Sequence, residues 1–146
     1  MTDSQKELLT AIYNTVTADV ALKAAMGGTV RLYPVWAEPD ADFPYLVHRI
    51  DFQGWVADYS PVRRGNYLID LWSYSVNADE ILAIRTEVLR LLNGVTFATT
   101  GVDMARLWLQ TDGFVPESTQ GIWHLAMQFT IWATADENGQ PLHDDF

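Results

Sequence analysis

The chain has 146 residues, enough for one domain with a substantial core and too few for two comfortable ones. Apolar residues make up 49% and charged ones 19%, a globular balance that excludes a disordered chain; the net charge of -10 lacks the basic footprint of a general nucleic-acid binder. Cysteine is absent, which excludes disulfides, thiolate metal sites and cysteine nucleophiles, and no apolar run approaches the ~20 residues that cross a bilayer.

The opening MTDSQKELLT has neither the basic start nor the apolar centre of a signal peptide, so the chain is expected to fold in a cytoplasm. Ser4 and Glu7 have capping-box spacing, and Leu8, Leu9, Ile12, Tyr13 and Val16 recur at helical spacing behind them. A second short helix is predicted over about residues 18–26, with Val20, Leu22 and Met26 apolar. Gly27 and Gly28 stop it, because glycine accepts the left-handed conformation of a helix C-terminus.

Extended segments follow. Residues 30–33 form a short strand that meets Pro34, and AEPDADFP, residues 37–44, is a loop by its Pro and Asp content. Residues 45–52 alternate, with Leu46, His48, Ile50 and Phe52 on one face and Tyr45, Val47, Arg49 and Asp51 on the other. GWVADYSPVRRG, residues 54–65, is either a long loop or the splayed tip of a hairpin. Its Trp55, Val56, Tyr59, Arg63 and Arg64 have the aromatic and arginine composition of a protein–protein hot spot, although the rings would equally suit a loop folded back on its own sheet.

NYLIDLWSYS, residues 66–75, carries two apolar sets. Tyr67, Ile69 and Leu71 point one way; Leu68, Trp72 and Tyr74 point the other, with Asp70 among them. Asn77 is a favoured N-cap for the clearest helix, about residues 78–93, with Glu80 at the capping-box position. Ile81, Ile84, Val88, Leu91 and Leu92 form its predicted buried stripe, and Asn93-Gly94 ends it. Two strands finish the domain, residues 102–110 and 122–134. The second sets Trp123, Leu125, Met127, Phe129 and Ile131 against His124, Gln128 and Thr130. Residues 1–135 are thus predicted as one domain, and 136–146 as an acidic, disordered tail.

The predicted fold is α+β: a mostly antiparallel sheet of about four to five strands, with the N-terminal helix and the second helix packed on one face. The opposite face lacks cover. Burying a Trp or Tyr side chain is worth on the order of 2–3 kcal/mol, so several large rings left wet call for a partner, most simply another copy of the chain.

A search for chemistry finds little. His48 and His124 fall in strands and His143 in the tail, without metal-binding spacing, and packing or surface roles are expected for the strand pair. Asp51 and Asp70 are possible neighbours across paired strands, with an ion pair from Asp70 to Arg49 or Arg106 the favoured reading. There is no GxSxG elbow, Walker loop or GxGxxG fingerprint, and no cofactor is expected. The competing enzymatic or ligand-binding reading requires a pocket under Trp36, Trp55 or Trp108.

Four stretches, ELLTAIYNTVTADVALKAAMGG, RLYPVWAEPDADFPYLVHRID, RRGNYLIDLWSYSVNADEILAIRTEVLRLLNG and GIWHLAMQFTIWA, carry a resemblance to the tail-completion or tail-terminator proteins of long-tailed bacteriophages and related prophage elements. The resemblance implies a structural virion protein, not an enzyme. It would form a ring, expected to be a hexamer, at the head-proximal end of the tail tube, ending polymerisation and presenting a surface for head joining. Implied partners are itself, the tube protein and a head connector or neck protein. DNA would pass through without specific binding, and no membrane is involved. On this reading Leu68, Trp72 and Tyr74 join the 54–65 loop residues as interface, and Asp51, Asp70 and Asp103 are candidates to line a lumen along which a polyanion slides. Alternatives are a head-completion or neck protein, or a small α+β ligand-binding domain.

Overall fold

The computed structural model describes residues 4–55, 62–99 and 102–134, with the side chains of residues 4, 52–55 and 102–103 left aside. The acidic tail, Val56 and Tyr59 lie outside the described residues, as do the side chains of Trp55 and Asp103.

Two helices open the chain, α1 (Ser4–Thr17) and α2 (Val20–Ala25). Leu8, Ile12 and Val16 of α1 are fully buried, as their spacing requires, whereas Tyr13 and Val20 turn outward. Asp19 caps α2 by accepting the Leu22 N–H at 2.9 Å. At the other end Gly27 and Gly28 take φ of 84° and 112°, and the Gly28 N–H donates to the Lys23 carbonyl.

Strands β1 (Leu32–Pro34), β2 (Tyr45–Trp55) and β3 (Arg63–Tyr74) precede α3 (Asp79–Leu92). β4 (Thr96–Thr99), β5 (Val102–Val115) and β6 (Ile122–Ala133) complete a single sheet in the order β1-β2-β3-β6-β5-β4. The α+β class stands, but the sheet has six strands and is mixed. β1 runs parallel to β2, with Leu32 opposite Leu46, and all other pairs are antiparallel. Segment 35–44 returns the chain from the end of β1 to the start of β2, so the parallel pairing is made without a helix. Pro34 is tolerated because β1 is an edge.

The alternation read from the sequence sets the layers. Leu46, His48 and Ile50 of β2, Tyr67, Ile69 and Leu71 of β3, and Leu125, Met127, Phe129 and Ile131 of β6 are buried against the helices. Buried Ile81, Ile84, Val88 and Leu92 of α3 complete that core; Leu91 is only half-buried. The capping box at Asn77 does not form. The Asn77 side chain accepts the Asp79 N–H at 3.0 Å, Ala78 is the N-cap without a side-chain hydrogen bond, and Glu80 is drawn away to accept from the buried Ser73 hydroxyl at 2.5 Å. Among the described residues no helix is long and apolar enough to cross a membrane.

Candidate interaction surface

All three helices pack on one side of the sheet, so the other side is built from the alternate residues of its long strands. In register across β2, β3 and β6 lie Tyr45, Trp72 and His124; further along lie Arg49, Leu68 and Gln128, then Asp51, Asn66 and Thr130. Each is half-buried or exposed. Leu68, Trp72 and Tyr74 thus share one open face with Asp70, and none of the described helices covers them. Asp51 belongs to that face too.

Aromatic rings concentrate at the end of this face where β2 begins. Tyr45 stacks beside Trp72 at 6.0 Å between centroids, Tyr33 meets Tyr45 edge-on, and Phe43 touches both Tyr45 and Tyr74. His124 lies on Trp72 at 3.8 Å, and its two nitrogens reach Asp70 Oδ1 at 3.1 Å and Glu117 Oε1 at 3.2 Å. Burial alone would lower the His124 pKa, but the hydrogen bonds and charges of Asp70 and Glu117 outweigh it and hold the pKa above the usual imidazole value. Burial first, then the charge of Glu117, raises the Tyr45 phenol.

Beside this cluster is an open groove of about 1000 Å³ floored by Tyr74, Phe114, Val115, Ile122 and Trp123. Its far wall is the end of β5, which runs five residues beyond the predicted strand. A register shift between Leu109 and Thr111 inverts the faces of that extension, placing Asp112 on the helix side, where it pairs with Arg85 of α3, and Phe114 edge-on to Trp123.

Several expected pairings are corrected. Asp51 and Asp70 are not neighbours: Asp51 faces Asn66 and bonds Arg49 at 3.2 Å, whereas Asp70 faces Val47 and Ala126 and bonds His124. Asp70 therefore pairs with neither Arg49 nor Arg106. Arg63 and Arg64 are the first two residues of β3, with Arg64 exposed on the open face. Trp36 and Trp108 are 77% and 46% exposed, and neither lines the groove beside Tyr74. His48 is buried and shares a 2.8 Å hydrogen bond with the Tyr67 hydroxyl; burial lowers its pKa to about 4 and raises that of Tyr67 well above the usual phenol. Among the described residues no group of three or more metal-ligating side chains converges.

The His124 cluster was not foreseen, since Glu117 and Asp70 stand 7 and 54 positions away in the chain. The one available signal was the histidine among apolar neighbours on the polar side of β6.

A chain of a gene transfer agent virion particle is similar in fold, with a TM-score of 0.76 over 89% of this chain and 96% of that one, at 17% identity. A second solved chain has a TM-score of 0.67 over 90% of this chain and 96% of its own length, at 13% identity. No curated protein sequence is significantly similar. Residues 10–134 match the tail completion protein gp17 family, a span that takes in every element from the middle of α1 to the end of β6. The chain belongs to that family and is a structural, tail-associated component of a bacteriophage-type virion.

Proposed function

We propose that the protein assembles into a ring that caps the head-proximal end of the tail tube, ends tube polymerisation and presents a surface for head joining. The observation that carries this reading is the open sheet face. Trp72, Tyr74, Trp108 and Trp132 lie on the side away from the helices or at its margin, and burying such rings is worth on the order of 2 kcal/mol each. Copies of the chain, expected to number six, and the neighbouring tube and neck proteins supply the cover. Leu68, Trp72, Tyr74 and the residues around Arg64 are the interface. Trp55, Val56, Tyr59 and Arg63 of the 54–65 stretch are proposed to belong to it. The role is architectural and requires no catalytic centre or cofactor.

Asp70 shares its face with Trp72 and is held by His124, so a contact that covers Trp72 takes Asp70 out of a lumen. Asp51, exposed further along the strand, and Asp103 are the acids proposed to line the DNA passage.

The test is native mass by light scattering, with and without purified tube protein. Wild type is expected well above the 16.5 kDa protomer. Trp72→Ala with Tyr74→Ala is expected to keep the protomer fold by circular dichroism and lose the larger species. A monomer at every accessible concentration, with tube protein present, would overturn the reading. Capture of a portal or adaptor protein but not of tube protein would move the protein to the neck.

A further inference from the structure

One row of the open face differs in chemistry from the rest. Arg64 of β3, Trp132 of β6 and Arg106 of β5 stand side by side in register. Adjacent strands lie ~4.8 Å apart, so the positions of two arginines flank that of one exposed tryptophan across about 10 Å, with Arg106 Nε donating to the Gly94 carbonyl at 3.3 Å. Arg106 also lies 4.6 Å over the ring of Trp108, the next aromatic on the same face. Neither Arg64 nor Arg106 meets a carboxylate among the described residues. Arginine and tryptophan are the residues that most often dominate binding energy, and here they occur as one row on a chain of net charge -10.

A feature of opposite chemistry projects from the other end of the sheet. Val35 has φ of 66°, a conformation that a β-branched residue rarely adopts. The Trp36 N–H donates to the Pro34 carbonyl at 2.7 Å, and the Val35 N–H to the His48 carbonyl at 2.9 Å, which closes a strained three-residue turn. The turn holds Trp36 out at 77% exposure. Glu38, Asp40 and Asp42 follow at alternate positions, all exposed and without a basic partner among the described residues. A strained backbone that presents a large wet ring above three carboxylates is built as a knob.

We propose that the Trp36 knob of one copy docks on the Arg64–Trp132–Arg106 row of the next, an inference that rests on the ring reading. The knob enters β2 at Tyr45, whereas the row lies at the opposite ends of β3 and β6, so the two surfaces are remote from one another on a protomer. Contacts between unlike patches are head-to-tail and close into rings when the rotation permits; a two-fold contact would bring like patches together. Charge favours this occupant over a nucleic-acid backbone, which the remaining acidity of the chain repels.

Full-length Arg64→Glu/Arg106→Glu and Glu38→Arg/Asp40→Arg are the two test variants, each checked for an unchanged thermal midpoint. Each alone is expected to raise the concentration at half-association by at least ~30-fold, the scale of losing paired interfacial charges. Mixed, they are expected to restore assembly with the two variants alternating, because each knob then meets a row of opposite charge. The four substitutions in one chain are expected to restore assembly. Variants that assemble as wild type does would overturn the docking while leaving the ring in place; a monomeric wild type would overturn both. Two further results would overturn the docking. One is loss of duplex DNA binding with self-association intact in the arginine variant. The other is a shift of the Trp132 indole resonance in Glu38→Arg/Asp40→Arg when residues 136–146 are removed, which would make the chain's own tail the occupant.

Discussion

The imidazole of His124 lies flat on the indole of Trp72, centroids 3.8 Å apart and planes inclined by 13°. Asp70 and Glu117 on its two nitrogens raise its pKa and so favour the charged form against the aromatic face, the arrangement in which a cation and a π-system attract.

His124 is expected to titrate above the usual value near 6.5, read from its ring-proton shifts. A raised folded pKa contributes stability that is complete below the unfolded value and fades as pH climbs through the folded one. Asp70→Asn should lower the His124 pKa and shrink that contribution. An unchanged titration would mean that Asp70 does not act on the ring.

His48 works in the opposite sense. Its pKa of about 4 lies below that of the unfolded chain, so the unfolded state takes up the proton first and stability falls as pH drops from 6.5 toward 4. The full effect is about 3 kcal/mol at 1.36 kcal/mol per unit. Urea unfolding at pH 6.5, 5.5 and 4.5 should show a steeper loss in wild type than in His48→Leu, whatever the offset between them at neutral pH.

Ser73→Ala removes the donor to Glu80 and leaves a partly buried carboxylate short of a partner. A loss of ~1–3 kcal/mol is expected. Asn77→Ala, which deletes only an exposed local bond, should lose less than ~1 kcal/mol. Equal losses would restore Asn77 as the helix cap.

Gly94→Ala combines two penalties. The residue has φ of 74°, and an added Cβ would stand 3.2 Å from the Trp108 ring. A drop of at least ~1 kcal/mol is expected, with a shift in Trp108 emission as the indole gives way.

The faces of β2, β3 and β6 were legible because period-two alternation in a half-covered sheet leaves one assignment for each residue. α3 was legible from its stripe, though not its start, because Ser73 competes for Glu80 and lies on another element. β4 is four residues long and β5 changes parity at its register shift, so neither presents a steady period. The parallel place of β1 depends on a crossing that no local pattern encodes. The same limit hid the His124 cluster and the turn at Val35. The first is assembled by register and the second by backbone geometry, whereas Trp36 reads in sequence as one more apolar residue.

The margins of the sheet carry a last consequence. β1, with three residues and a proline lacking an N–H, and β4, with four residues, are the outermost strands. Truncated borders of this kind offer a stranger's backbone little to zip onto. Side chains rather than exposed backbone are thus left to choose any neighbour, while the edges discourage runaway fibril growth.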